Sequence, residues 1–258
     1  MINLLKETEI EYIRCFSKEK KDKSIIRFWD EKFQDSYANN LTLLNENVDE
    51  NIVVEIINKE IDRKIKEEKE FLLFEFHGNI SKEAIKRLSV WPSRIDKLDY
   101  MSIETKNYGK IKYREDCLVK KVITKEDFDD LITINILDYA PLVGKNYAKR
   151  RIGRKVNIYK DNSNKLSAFI SHIGENPVGS CELLINKKTA KIEDFGVLSM
   201  YQKQGVGKSI LFKILKSSYD DRIDVVYVIT ESKGKAKEIY KKCGFKKVGE
   251  KTQLIFSL

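Results

Sequence analysis

The junction Val197-Leu198-Ser199-Met200-Tyr201-Gln202-Lys203-Gln204-Gly205-Val206-Gly207-Lys208-Ser209 constrains this chain more than any other stretch. A strand pattern over 190–198 ends there, and an amphipathic helical pattern opens at Val206. A strand that turns directly into a helix needs a sheet with helices packed on it, so all-α and all-β folds are excluded. The two glycines let the backbone adopt left-handed dihedrals and come close to a ligand. The first amides of the helix have no partner inside it, and the helix dipole adds positive potential at that end. Such a junction suits a pyrophosphate, with Lys203 and Lys208 adding charge.

The strand–helix theme runs through the whole chain. From residue 113 the pattern reads as strand 117–123, helices 125–139 and 145–158, strands 166–173, 178–185 and 190–198, and helix 206–218. Strand 223–230, helix 234–242 and two short strands from Phe245 complete it. Thr124 starts the first of these helices, and Pro141 is expected to stop it. Gly174-Glu175-Asn176-Pro177 makes a hairpin of the first two strands that follow. The βααβββαβαββ order is a mixed α/β layout.

Before residue 113 a smaller α/β domain is expected. Helix 47–69 has apolar residues at 53, 54, 57, 61 and 65, followed by strand 71–76, a helix from Ser81 to Leu88 and strand 95–104. The polar segment 105–110 reads as the joint, giving domains 1–112 and 113–258. Strand–helix–strand 71–104 echoes the run from 223 onward, and aligning Ala84 with Ala236 sets Leu88 against Tyr240.

Composition narrows the function classes. At 41% hydrophobic and 34% charged residues the chain is an ordinary globular one, not a disordered or collagen-like one. No apolar run is long enough to cross a membrane, and the N-terminus has no signal-peptide pattern, so a cytoplasmic protein with no membrane partner is expected. Four scattered cysteines and two histidines offer no metal-ligand spacing, so no metal is expected and His172 reads as a strand residue. The net charge of +9 is spread along the whole chain, which argues against nucleic acid. Its densest cluster, 149–155, is either a solvated helix face or an anion-facing patch.

Two motifs compete for the junction. Gly207-Lys208-Ser209 matches the end of a P-loop, but Gln202 stands where that motif needs its first glycine, and too few residues follow for such a domain. The acyl-CoA loop [QR]-x-x-G-x-[GA] is matched in full by Gln202, Gly205 and Gly207. Downstream, Ala236-Lys237-Glu238-Ile239-Tyr240-Lys241-Lys242-Cys243-Gly244-Phe245 fits A-x-x-[LIF]-Y-x-x-x-G-F. With these two motifs, residues 113–258 resemble the GNAT superfamily of acyl-CoA-dependent N-acyltransferases. The first half resembles a reduced GNAT-like half without the CoA motif.

The resemblance implies a GNAT-type fold, with a central mixed, mostly antiparallel sheet flanked by helices. It implies an N-acetyltransferase that moves an acetyl or short acyl group from acetyl-CoA to a primary amine of a small molecule or peptide by direct transfer. A catalytically silent acyl-CoA sensor is the alternative. Val197 and Leu198 would hold the pantetheine arm. Amides of Gln202, Lys203, Gln204, Gly205, Val206, Gly207, Lys208 and Ser209 would bind the pyrophosphate. Tyr240 would protonate the departing thiolate, and the Leu198 amide would serve the oxyanion. Many relatives carry Asn where this chain has Lys233; Ser232 would replace part of its contacts. Adjacent strand residues face opposite ways, so only one of Glu193 and Asp194 would reach the amine, and Glu193 is preferred as base. Helices 125–158 would line the acceptor site, where Arg150, Arg151 and Arg154 would favour an acidic acceptor. Residues 1–112 would cover the acceptor cleft or support a homodimer.

Overall fold

The computed structural model describes residues 1–45, 48–161 and 165–258. In chain order the elements are α1 (Ile2–Arg14), β1 (Lys18–Asp22), β2 (Ile25–Trp29), β3 (Leu41–Leu44), α2 (Glu50–Lys66), β4 (Phe71–His77), α3 (Lys82–Ile85) and β5 (Arg94–Glu104). They continue with β6 (Cys117–Lys121), α4 (Lys125–Val143), α5 (Lys145–Tyr159), β7 (Leu166–Ile173), β8 (Asn176–Asn186) and β9 (Thr189–Val197). Last come α6 (Val206–Asp220), β10 (Val225–Glu231), α7 (Lys235–Lys242) and β11 (Lys246–Ser257). The fold is mixed α/β with mostly antiparallel strands.

Two compact units form, and they do not follow the linear division expected at 112/113. The first holds Met1–Cys15, Met101–Val228 and Glu238–Lys246; the second holds Phe16–Tyr100, Ile229–Lys237 and Lys247–Leu258. In the first, the strand order is β10-β9-β8-β7-β6, parallel at β10–β9 and antiparallel elsewhere. Apolar residues of α6 (Ile210, Leu211, Ile214 and Leu215) bury against strand residues Leu183, Ala190, Ile192 and Val226 in one core cluster. Burying the Leu, Ile and Val side chains among them stabilises by about 1.5–3 kcal/mol each. A second cluster joins Phe128 and Leu131 of α4 to Ile152 and Val156 of α5 and to Ala168 and Ile170 of β7.

Helix α1 was not expected from the sequence. It joins the first unit because its polar residues are bonded there: the Thr8 hydroxyl lies 2.6 Å from that of Thr189, and Tyr227 donates to Glu9 at 2.8 Å. Burial of Thr8 and Glu9 blurs the apolar stripe that would have announced the helix. The second unit orders its strands β1-β2-β3-β4-β11 around Val53, Val54, Ile57 and Ile61 of α2, the helical period read from the sequence. Helix α2 is capped by Asp49, whose side chain accepts from Asn51; the expected start at Asn47 lies outside the described residues. The echo seen in the sequence extends further here. Each motif has a parallel strand pair bridged by a helix, β3–α2–β4 and β9–α6–β10, followed by a short helix and a long strand.

Local differences have physical causes. Helix α4 runs through Pro141 to Val143, because a proline one turn from a helix end removes a single backbone bond, and Gly144 at φ 82° then ends it. The Thr124–Asp127 capping box closes even with Asp at its third position. The two short strands expected after Phe245 are one, β11, whose later part is held by antiparallel pairing from Lys251↔His77 to Ser257↔Phe71.

Candidate active site

The Gly-bearing junction folds as the sequence implies. After β9 a short 3-10 turn, Ser199–Tyr201, leads to Gly205 at φ 89°, which caps α6. Lys203 also sits in the left-handed region, at φ 61°. The first bond within α6 runs from the Ser209 amide to the Gly205 carbonyl at 3.1 Å. That leaves the amides of Val206, Gly207 and Lys208 outside the helical ladder. Two expected donors are spent, however: Ser209 on this bond, and Gln202, whose amide donates to Ser199 at 3.3 Å. The Ser209 side chain is buried and accepts from the Arg114 amide at 3.1 Å, so it serves the fold beneath the loop. Arg114, which lies in no sequence motif, braces the loop by donating to the Gln204 carbonyl at 3.1 Å.

Upstream, the β9 backbone presents an open edge. Among the described residues β9 pairs with β10 only from Thr189 to Ile192, while its pairing with β8 continues to Val197. The Leu198 amide donates to the Val178 carbonyl at 3.0 Å, so it is not the free donor expected for an oxyanion. Alternation along the ladder turns the N–H and C=O of Val197 to the opposite, open edge. The Gln202 side chain holds that carbonyl at 3.0 Å and leaves the Val197 N–H.

A bulge corrects the expectation for Glu193 and Asp194. Ser180 faces Gly196 and Glu182 faces Glu193, so Cys181 alone stands against Asp194 and Phe195. Asp194 takes φ 51°, and alternation fails at this point. Its carboxylate pairs with Arg151, lies 2.8 Å from Lys155, and accepts from the Tyr139 hydroxyl at 2.7 Å. Lys155 also binds Glu182 at 2.5 Å, and Tyr12 donates to Glu182 at 2.7 Å. Glu182 and Glu193 are directly opposite, so all three carboxylates lie on one face of the sheet. Burial pushes the Asp194 carboxyl up, but Arg151 and Lys155 outweigh it and hold it well below the usual carboxylate range. For Glu182 burial outweighs Lys155, and its carboxyl is raised.

This network takes Arg151 out of the acceptor site. Its guanidinium is half-buried, paired with Asp194 and stacked 3.8 Å from the Tyr139 ring centroid. Glu193 is tied as well: Lys191 binds it at 2.8 Å and Glu9 at 3.0 Å.

Tyr240 of α7 is 5% exposed, with Phe195 at 6.1 Å and Phe245 at 5.4 Å between ring centroids. No hydrogen bond reaches its hydroxyl among the described residues. Burial first, then the charge of Glu193, raises its pKa, so the phenol keeps its proton. Ser232 falls in the other compact unit, and its hydroxyl donates to the buried Asp99 at 2.7 Å; it is committed to the fold and not free to replace an Asn side chain. Among the described residues there is no cluster that could hold a metal, and His172 is a buried β7 residue bonded to Asp130 at 2.9 Å. No helix among them is long and apolar enough to cross a membrane.

Comparison with known proteins points the same way. Residues 146–254 match the family model described as an acetyltransferase (GNAT) domain, a later start than the expected 113. Over 117 residues, 44% of this chain, the sequence is 28% identical to a Bacillus subtilis (strain 168) protein named Uncharacterized N-acetyltransferase CgeE; the match spans 45% of that relative, less than half its length. A functionally unknown conserved protein from Staphylococcus epidermidis superposes with a TM-score of 0.76 at 20% identity, covering 93% of this chain and 94% of that one. The GCN5-related N-acetyltransferase from Kribbella flavida superposes with a TM-score of 0.68 at 10% identity, covering 96% and 92%. At such identities the structural likeness is one of fold.

Proposed function

Residues 146–254 of this chain are a GNAT acetyltransferase domain, and from that premise we propose that the protein transfers an acetyl or short acyl group from acetyl-CoA to a primary amine of a small molecule or peptide. The carrying observation is the pairing of a loop whose amides stand free of the helix ladder with an open β9 edge directly before it. Amides from Lys203 to Lys208 receive the pyrophosphate, and Lys203 and Lys208 add charge. The Val197 edge receives the pantetheine arm.

The chemistry is direct. A neutral amine attacks the thioester carbonyl; the C–N bond forms and the carbonyl oxygen becomes an oxyanion. The Val197 N–H, rather than that of Leu198, donates to it. The C–S bond breaks, and Tyr240 gives the leaving sulfur its proton. The four cysteines are free thiols, which supports a reducing, cytoplasmic setting.

The test measures CoA thiol release from acetyl-CoA across a panel of primary amines, with product mass as confirmation. Amine-dependent release with a matching N-acetyl product is expected. Tight acetyl-CoA binding without release for any amine would overturn transfer and leave an acyl-CoA sensor.

A further inference from the structure

We propose that Asp138, on α4, is the base that takes the proton from the acceptor amine; this rests on the transferase reading above. The observation that carries it is a close approach. A Cβ built on Gly196 would lie 3.0 Å from Asp138 Oδ2, so the carboxylate stands directly over the β9 backbone beside Val197. A larger residue at 196 would push it away. Glycine there leaves room for a carboxylate on the stretch of β9 that lies beyond its pairing with β10.

Asp138 is half-buried, and among the described residues it makes no hydrogen bond and no ion pair. Every other carboxylate around it is occupied: Asp194 by Arg151, Lys155 and Tyr139, Glu182 by Lys155, Tyr159 and Tyr12, and Glu193 by Lys191. The charged groups that face it are Asp194 from β9 and Arg151 from α5. Burial first, then Asp194, raises its carboxyl pKa against the opposing pull of Arg151. A raised carboxylate is a stronger base.

The step balances. As the amine nitrogen bonds to the thioester carbon, Asp138 accepts one proton from that nitrogen. The electron pair of the breaking C–S bond goes to sulfur, which takes the Tyr240 proton. Amide and CoA thiol leave, and solvent returns a proton from Asp138 to Tyr240.

The test compares the native protein with Asp138→Asn, Asp138→Glu, Gly196→Ala and Glu193→Gln. CoA release is followed from pH 4 to pH 9 with benzylamine, glycinamide and spermidine, alongside acetyl-CoA affinity and melting temperature. These amines differ in basicity, so a limb due to the acceptor moves with the amine and a limb due to the protein stays fixed. Asp138→Asn should lower kcat/KM about 100-fold or more and erase the fixed acidic limb, with acetyl-CoA affinity unchanged. Asp138→Glu should recover part of the loss. Gly196→Ala should lower kcat by displacing the carboxylate, and Glu193→Gln should keep the limb. A folded Asp138→Asn protein with native turnover, or loss of the limb in Glu193→Gln instead, overturns the assignment. A native protein that binds acetyl-CoA yet acetylates no amine of the wider panel overturns the transferase reading, and this role with it.

Discussion

Replacing Tyr240 by Phe separates chemistry from structure unusually well. The hydroxyl has no bonding partner among the described residues, and the ring contacts with Phe195 and Phe245 survive in phenylalanine. Nothing is left unsatisfied by the change, so stability should stay within about 0.5 kcal/mol of the native protein. The loss of a general acid, in contrast, is worth roughly 100-fold to 10,000-fold in kcat, or about 3–5 kcal/mol of barrier. Burial and Glu193 raise the phenol, so it stays protonated through neutral and mildly alkaline pH, and it adds no basic limb to the native profile there. Thiol release gives kcat, calorimetry gives acetyl-CoA affinity, and a melt gives stability. A stable, CoA-binding Tyr240→Phe protein with unaltered kcat would refute the acid role.

Two further substitutions test the scaffold. Asp194→Asn should destabilise the fold by roughly 3 kcal/mol, because it leaves the half-buried Arg151 without its carboxylate and Lys155 with Glu182 alone. The folded pKa of Asp194 is depressed, so its contribution is present above the unfolded carboxylate value and lost as pH falls through the folded one. The stability curves of the native protein and of the Asp194→Asn variant should therefore converge in acid, and chemical denaturation at several pH values checks this. Arg114→Ala should weaken CoA binding by about 0.5–1.5 kcal/mol, since it removes the brace on the Gln204 carbonyl while leaving the loop amides in place; calorimetry reads it directly.

The loop proposed to hold the diphosphate was legible because its geometry is local. Glycine at 205 answers to a left-handed dihedral, and the unpaired amides follow from any helix start. Tyr240 was legible as part of a spaced motif on one short helix. The Asp194 bulge was not, because a bulge is a property of two paired strands and neither sequence marks it. That single inserted residue undid the alternation argument for Glu193 and Asp194. Asp138 was missed for a related reason: its significance lies in standing over Gly196, a contact between residues far apart in the chain. Arg151 looked like a free surface charge in a basic run, and only the fold shows its carboxylate partner. The compact units were hidden because α1 and β11 are each built into the unit that the linear order does not assign them.

Nitrogen-edited amide spectra recorded during a CoA titration probe the diphosphate cradle itself. Saturable one-to-one binding is expected, with the largest shifts at the amides of Lys203 through Lys208. Both should vanish in Gly205→Glu, which sets a carboxylate and a strained φ of 89° at that cradle. Shifts centred elsewhere, or a Gly205→Glu protein that still binds CoA as tightly as the native one, would contradict the account.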